Sequence, residues 1–333
     1  MHRRETMSSG RATIDRVGSP RVAPPVVMAT LVAIGVATAC VGNDPVLPGS
    51  QTDAAAPGVD ATSAVESGSS TACDLTKPFG APEPVTALNS PQAELAARLS
   101  ASGLAIYLAT ARPGSLGGVN VWRATRATSS DAFSAPVPLA GVNSDQDDDG
   151  PSPSADEQQL YLDTRGQGLD IVRATRTDPT KDFGAPSAVA ALTSGGDDSS
   201  PYLLGGALYF SSTRGGPAQV FRAPLGGSGP GVVALAYGSG MDNLLFPVVA
   251  SDERSLYFGA DRTDATARGL EDIWIVRGGG DGTFAGTPVA VTELNTSSRE
   301  WPTSLSADGC TLYFISDRAK AGDLDVWRAT RAR

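Results

Sequence analysis

Short apolar runs alternate with polar turns along most of the chain, and the pattern repeats. In the last copy, apolar residues at 311–315 precede the turn Ser316-Asp317-Arg318, and a second apolar run follows at 324–329. Such short runs between turn residues predict β-strands rather than helices. Two markers recur with a period of 48–56 residues, a tyrosine in the first strand and a large residue in the second: Tyr107, Tyr161, Tyr209, Tyr257, Tyr313 and Trp122, Val172, Phe221, Trp274, Trp327. One period kept by two markers predicts a repeat architecture.

Each copy holds four short strands, which we name a, b, c and d in chain order. A lone sheet of this kind exposes apolar residues on both faces, so it must pack against other copies. Five copies begin at about residues 91, 144, 194, 239 and 296. The fifth ends after strand c, and residues 77–89 match the d segments of the other copies. We therefore predict an all-β, five-bladed β-propeller whose N-terminal strand closes the last blade.

The first 72 residues differ in composition from the repeats. Residues 1–21 carry five arginines, and an apolar run at 26–39 ends in Ala37-Thr38-Ala39 just before Cys40. This pattern predicts a signal peptide over 1–39. The cysteine after small residues resembles a bacterial lipobox, so Cys40 is the predicted lipidation site, with cleavage near Ala39 and secretion as the alternative. Residues 40–72, rich in Asp, Ala, Pro, Gly and Ser, are a predicted disordered tether to a propeller domain over 73–333.

Two further cysteines, Cys73 and Cys310, are predicted to form a disulfide. Pairing is the default for two cysteines in an oxidising envelope compartment. The repeat places Cys310 at the start of strand b of the fifth blade and Cys73 just before its strand d, at one end of one sheet. Two unrelated buried thiols are the alternative.

Charge and histidine content narrow the function classes. The formal net charge of −10 disfavours nucleic acid and anionic membrane surfaces as partners, because phosphate binding needs basic patches. His2 is the chain's one histidine and lies inside the predicted signal peptide. A chain cleaved there has no imidazole for a Ser-His-Asp triad or a histidine-ligated metal site.

The repeat resembles that of the TolB-type propellers, a WD-repeat-like family. The residues that carry the resemblance are Asp308-Gly309 in the turn after strand a, Ser316-Asp317-Arg318 after strand b, and Asp325 with Trp327 in strand c. The resemblance spans about residues 75–333, and the third copy departs from it most. It implies an envelope-located binding scaffold.

A ring of carboxylates is the main candidate site. An acidic residue stands where strand a begins in each copy, and a tryptophan follows the last one: Glu94, Asp148, Asp198, Asp242, Glu300 and Trp301. Because strand a is the innermost strand of a blade, we expect these carboxylates to circle one mouth of the central channel. Converging carboxylates can bind a hard cation or a sugar, and a pair of them can hydrolyse a glycoside. In the alternative interpretation they cap turns and bind nothing.

A second candidate site overlaps the ring. Asp145, Asp147 and Asp149, followed by Gly150, match the opening of a calcium-binding loop. Asp156 falls at the twelfth position, but the repeat places strand a between it and Asp149. We therefore predict at most a partial calcium site, formed by the three aspartates without Asp156.

Arginines recur after strand b, at Arg112, Arg165, Arg214, Arg262 and Arg318. We expect them to pair with acids near strand c, such as Asp170, Asp272 and Asp325, rather than to bind an anionic ligand.

The leading functional hypothesis is a non-catalytic, monomeric, envelope-anchored scaffold that binds an envelope protein or a cell-surface ligand through a propeller face. The membrane is reached only through the lipid anchor, and no cofactor is expected, with calcium left open. Calcium or carbohydrate binding at the acidic mouth is the second hypothesis, and a five-bladed glycoside hydrolase is the third.

Overall fold

A computed structural model of the protein describes residues 73–166, 168–226, 229–236, 242–261 and 267–332. The predicted signal peptide, Cys40 and the predicted tether lie outside these residues. The strands, in chain order, are β1 (Glu83–Pro84), β2 (Glu94–Leu99), β3 (Ala105–Thr110), β4 (Asn120–Thr125), β5 (Val137–Pro138), β6 (Asp148–Pro153), β7 (Gln159–Arg165), β8 (Leu169–Thr175), β9 (Ser187–Ala188), β10 (Asp198–Leu204), β11 (Ala207–Ser212), β12 (Gln219–Pro224), β13 (Val232–Leu235), β14 (Asp242–Val249), β15 (Ser255–Asp261), β16 (Asp272–Arg277), β17 (Val289–Ala290), β18 (Glu300–Leu305), β19 (Thr311–Ser316) and β20 (Asp325–Thr330). Within the described ranges, no helix is long and apolar enough to cross a bilayer.

The strands form five antiparallel sheets of four, which are the five blades of a propeller. Four blades are consecutive in the chain (β2–β5, β6–β9, β10–β13 and β14–β17), and the fifth joins β18, β19 and β20 to β1. Glu83 pairs with Arg328 and Pro84 with Trp327, so the N-terminal strand completes the last blade as predicted. The inner strands β2, β6, β10, β14 and β18 contact one another in turn, and β18 returns to β2. The five-bladed all-β fold is thereby confirmed.

Strand b of each blade is the centre of the hydrophobic core. All six residues of β3 are buried, and so are the six residues of β11. A strand buried on both faces must have an apolar neighbour on each side, and the adjacent blades supply it. Burial of one large apolar side chain contributes roughly 1.5–3 kcal/mol. The packing of neighbouring blades therefore explains why the short runs that form strand b are apolar.

The recurring tyrosines link neighbouring blades through their hydroxyl groups. The Tyr107 hydroxyl of the first blade donates to Glu157 Oε2 of the second at 2.7 Å. Arg331 Nη2 of the last blade donates to the Tyr257 hydroxyl of the fourth at 2.7 Å. A buried tyrosine usually needs a partner for its hydroxyl. The marker thus packs its ring in the core in every blade, and in Tyr107 and Tyr257 its hydroxyl also bonds across a blade boundary.

The two ends of the propeller have different linkers. The a–b turns, such as residues 100–104 and 306–310, lie at one end, which we call the cavity end. The d–a loops and the b–c turns, such as residues 89–93 and 317–323, lie at the other, which we call the ion-pair end. The predicted Cys73–Cys310 disulfide is present at the cavity end, with a Cα–Cα distance of 5.7 Å.

Candidate functional site

A cavity of about 380 Å³ opens at the cavity end, and all five blades contribute to its wall. The inner strands and their turns form the wall, because a propeller's strand a faces the central channel. Its lining includes Arg98, Ser152, Tyr202, Val249, Ser304 and, on an exposed turn, Ala155. A concave site of this size, lined by few polar groups, suits a small ligand.

One position on strand a, opposite the recurring tyrosine, differs from blade to blade. The residue there is in turn Arg98, Ser152, Tyr202, Val248 and Ser304. All of these except Val248 line the cavity directly. This position therefore places a cation, hydroxyls, an aromatic ring and an aliphatic group around one channel.

Arg98 crosses the channel from the first blade to the third. Its Nη2 donates to the carbonyl of Pro201 at 3.1 Å, and its guanidinium lies 4.3 Å from the centre of the Tyr202 ring. The residue is only 7% exposed. Burial lowers the pKa of Arg98 to about 10, so the group is still charged at neutral pH. The side chain is thus a cation held inside the channel.

Arg98 has no acidic partner among the described residues. The ion pairs formed in the described part of the chain do not include it. Its buried Nη1 has no hydrogen-bond partner there either. A buried charge without a counter-charge is costly, and the ring of Tyr202 offsets only part of that cost.

Two serine hydroxyls on the cavity wall have protons left to donate. Ser152 Oγ accepts from the backbone N–H of Leu203 at 2.8 Å, and Ser304 Oγ accepts from that of Leu99 at 3.0 Å. Each bond joins two neighbouring blades and uses the serine oxygen as acceptor. Both side chains are nearly fully buried in the wall, at 1% and 2% exposed, and because a hydroxyl carries one donor besides its acceptor pairs, each keeps a proton to donate.

The acidic residue among those lining the cavity is Asp156, on an exposed a–b turn. Its Oδ1 accepts from Ser154 Oγ at 2.5 Å and from the N–H of Gln158 at 3.0 Å. The carboxylate is therefore engaged by its own turn, and these bonds lower the pKa of Asp156. Asp156 lies on a turn, whereas the strand a side chains Arg98, Ser152 and Ser304 bring hydrogen-bond donors to the cavity wall.

The predicted carboxylate ring lies at the opposite end and is buried. Glu94, Asp198 and Glu300 have no exposed surface, and Asp148 is 2% exposed. Three of the four form ion pairs with the arginines after strand b: Glu94 with Arg112 at 2.9 Å, Asp198 with Arg214 at 2.7 Å, and Glu300 with Arg318 at 3.3 Å. These carboxylates contact protein groups rather than an open channel mouth, and ligand binding by them stays a prediction.

Each of these ion pairs is part of a larger motif that joins two blades. Arg214 Nη2 also donates to the carbonyl of Leu192, in the segment that follows strand d of the preceding blade. Ser194, two residues on, donates to Asp198. The Arg214 guanidinium lies 4.8 Å from the centre of the Phe221 ring on strand c. The predicted partners of the arginines, the acids near strand c, are therefore replaced in three blades by the acid that begins strand a.

Asp148 differs because its blade has no such arginine contact. The carboxylate accepts from the N–H and the hydroxyl of Ser144, at 2.7 and 2.9 Å. Arg165 lies instead 3.7 Å from the half-buried Asp147. The side chain of Asp242, the fifth member of the ring, lies outside the described residues. Trp301 is 7% exposed, and its indole N–H donates to the Leu95 carbonyl at 3.0 Å, so most of its surface is packed against protein.

The structure does not bring the three aspartates of the predicted calcium loop together. Asp145 is exposed, Asp147 Oδ1 accepts from the N–H of Val119 at 2.9 Å, and Asp149 Oδ1 accepts from that of Gly150 at 2.6 Å. No three acidic, histidine or cysteine side chains of the described residues are grouped as metal ligands. Asp149 belongs to an extended strand rather than to a turn, and a partial calcium site at these residues stays a prediction.

Asp149 pairs instead with Asp163 across strands a and b of the second blade. Asp163 Oδ2 accepts from the N–H of Ser200 at 2.8 Å. Gly150 has a positive φ of 58°, and a Cβ there would stand 2.6 Å from Asp163 Oδ2, so glycine leaves room for that carboxyl. Burial, reinforced by repulsion between the two carboxyls, raises the pKa of Asp163. The pair is a local departure from the arginine-bonded pattern.

Sequence reasoning missed the cavity end. A signal is present: with the five copies aligned on the tyrosine, the strand a residue opposite it is a charged residue in one copy, Arg98. The recurring acids point to the opposite end instead.

No protein-family model matches the chain, and no curated protein sequence matches it significantly. Solved structures show a distant structural similarity. TolB from Acinetobacter baumannii is 15% identical with a TM-score of 0.45, over 73% of this chain and 56% of TolB. A thermostable family-43 glycoside hydrolase is 13% identical with a TM-score of 0.48, over 73% and 90% of the two chains. An α-L-arabinofuranosidase from Podospora anserina is 10% identical with a TM-score of 0.46, over 78% and 98%. The chain is thus distantly similar in structure to TolB-like and to hydrolase propellers.

Proposed function

We propose that this propeller is a non-catalytic binding protein of the bacterial cell envelope, anchored through a lipidated Cys40, and that its ligand binds in the cavity at the cavity end. The observation that carries the proposal is a cavity of about 380 Å³ whose wall is formed by all five blades. At the strand a position opposite the recurring tyrosine, its wall carries a cation, two hydroxyls and an aromatic ring. The ligand is a small molecule, or an extending group of an envelope protein or cell-surface polymer.

The state of the carboxylates supports binding without catalysis. A glycoside hydrolase needs two carboxyl groups facing each other across a sugar. At the ion-pair end, Glu94, Asp198 and Glu300 have oxygens bonded to arginines, and their side chains are buried. The cavity itself has one acidic lining residue, Asp156, which is bonded to its own turn. Calcium or carbohydrate binding at the acidic end has no comparable support.

A thermal-shift screen with small acids, neutral glycans, peptides and calcium tests the proposal. The matched variants are Ala155→Trp, which puts a large ring at the cavity, and Ala319→Trp, on an exposed turn at the opposite end. We expect a compound that stabilises the wild type to lose its effect in Ala155→Trp and to keep it in Ala319→Trp. A ligand unaffected by the first variant, or turnover of chromogenic glycosides by the wild type, contradicts the proposal.

The anchor needs a separate measurement. Mass spectrometry of the membrane fraction should find Cys40 as the N-terminal residue with a diacylglycerol mass. An unmodified N-terminus there would remove the anchor from the proposal and leave the cavity unaffected.

A further inference from the structure

We infer that the cavity is an anion-binding site, in which Arg98 pairs with a carboxylate or phosphate group of the ligand and Ser152 and Ser304 donate hydrogen bonds to it. The inference rests on the proposed function, since it names the ligand class for the same cavity. It differs from that proposal in requiring a negative charge on the ligand.

Arg98 is a buried cation in the cavity wall that has no acidic partner among the described residues. Its guanidinium is buried and lines the cavity, Nη2 bonds to the Pro201 carbonyl, and Nη1 has no partner among the described residues. At the ion-pair end, Arg214 and Arg318 are bonded to carboxylates. The buried Arg331 uses both terminal nitrogens, on the Lys77 carbonyl and the Tyr257 hydroxyl. A guanidinium offers five donors in a planar fork that matches the two oxygens of a carboxylate or phosphate. An anionic ligand supplies the counter-charge that the chain does not.

The second step concerns the groups around Arg98. The hydroxyls of Ser152 and Ser304 each accept one backbone N–H and keep a proton to donate, as described above. Donors from the first, second and fifth blades thus line one cavity, and its acidic lining residue, Asp156, lies on the exposed rim with Oδ1 bonded to Ser154. A set of donors around one cation, in a partly desolvated cavity, favours an oxyanion over a neutral or cationic ligand.

The apolar part of the cavity wall indicates what else the ligand carries besides its anionic group. Apolar groups, including Leu204, Leu225 and Val249, share the wall with the donors. A cavity of about 380 Å³ has room for more than a bare ion, so an apolar or neutral portion of the ligand can pack beside the charged group. The ligand class is therefore a small molecule or terminal group that carries one carboxylate or phosphate.

The test measures binding of inorganic phosphate and acetate by titration calorimetry in low-chloride buffer, with acetamide as the neutral analogue of acetate. Phosphate and acetate distinguish the two sources of the oxyanion. The key variants are Ala155→Asp and Ala155→Asn, which differ in charge but little in size, at an exposed residue that lines the cavity. Ala319→Asp adds the same charge at the opposite end, and neither alanine side chain makes a bond that the fold needs.

We expect saturable binding of at least one anion to the wild type and none of acetamide. Ala155→Asp should weaken the anion about tenfold, because a like charge at the cavity repels it. Ala155→Asn and Ala319→Asp should change its affinity less than about twofold. Arg98→Gln should abolish anion binding, and Arg98→Lys should retain part of it because the charge is kept. Circular dichroism of both Arg98 variants checks the fold.

Three results overturn the inference. The first is no saturable binding of either anion to the wild type. The second is binding that falls equally in Ala155→Asp and Ala155→Asn, which marks a steric effect. The third is binding that survives Ala155→Asp, which places the anion elsewhere. A neutral ligand that Ala155→Trp displaces, found together with no anion binding, would overturn this inference and still support the proposed function.

Discussion

Arginines stand at both ends of the propeller, and they are held in different ways. At the ion-pair end, Arg318 bonds to Glu300 and to the Leu294 carbonyl, and its guanidinium lies 5.3 Å from the centre of the Trp327 ring. At the cavity end, Arg98 has one backbone bond and an aromatic ring but no acidic partner among the described residues. The first arrangement recurs in three blades and bonds protein groups to one another, whereas Arg98 lies in the wall of the cavity. In this fold, the recurring acids are therefore structural, and the cavity wall is the candidate site.

The largest expected effect concerns the covalent link at the cavity end. The Cys73–Cys310 bond closes a sequence separation of 237 residues and ties the segment before β1 to the turn before β19. On a chain-entropy argument, replacing both cysteines by alanine should lower the free energy of unfolding by about 4–5 kcal/mol, measured by urea denaturation. The wild type in dithiothreitol should show a similar loss, and the variant should show no further loss there. A loss below about 1 kcal/mol would mean that the pairing of β1 with β20 and the other non-covalent contacts hold the ring closed without the disulfide.

The next effect tests the ion-pair end. Glu300→Ala leaves the largely buried Arg318 without its acidic partner and should lower the free energy of unfolding by about 3 kcal/mol. The matched control is Glu83→Ala, which removes the exposed acidic partner of Arg328 and should cost less than about 1 kcal/mol. Equal losses from the two variants would contradict the structural role assigned to the buried acid.

Particular residues show how far the sequence carries the fold and the site. The tyrosine period, the missing strand d after Thr330 and the matching segment before residue 89 were sufficient to predict five blades and their closure. Glu94 and Glu300 were correctly placed where strand a begins. Their contacts were not predictable, because whether a carboxylate at the edge of a channel points into it or back towards Arg318 depends on side-chain packing that the strand pattern does not encode. Arg98 required an alignment of the copies with one another.

A smaller effect is the pH dependence of the free energy of unfolding. It distinguishes Asp163, a buried carboxyl that is not bonded to an arginine, from the carboxyls that are. Burial, with repulsion from Asp149, raises the pKa of Asp163 above that of an unfolded aspartate. Folding therefore favours the protonated form, so the contribution of Asp163 to stability is present at acid pH and is lost as the pH rises through the folded-state pKa. Asp163→Asn keeps an oxygen for the Ser200 N–H.

We expect Asp163→Asn to be more stable than the wild type by about 1–2 kcal/mol in mildly alkaline buffer, and the difference to shrink towards zero near about pH 4. Urea denaturation at a series of pH values measures both. Asp198→Asn, which removes a charge bonded to Arg214, should be destabilising in the neutral range and serves as the contrast. A difference between Asp163→Asn and the wild type that does not vary with pH would contradict the assignment.

The smallest expected effect separates the two kinds of arginine most directly. Arg98→Met removes a buried cation that has no acidic partner and keeps an unbranched chain to pack on the Tyr202 ring. The cost of burying an unpaired charge disappears along with the Pro201 hydrogen bond, so the free energy of unfolding should change by less than about 1 kcal/mol. Arg318→Met, in contrast, strands the fully buried Glu300 and should cost about 3 kcal/mol. Similar losses in both variants would show that Arg98 is a structural residue, and the cavity would then lose its charged group as a ligand contact. A near-zero change in the free energy of unfolding for Arg98→Met, with a large one for Arg318→Met, means that the arginine at the ion-pair end stabilises the ring. The cation at the cavity end is then free for binding.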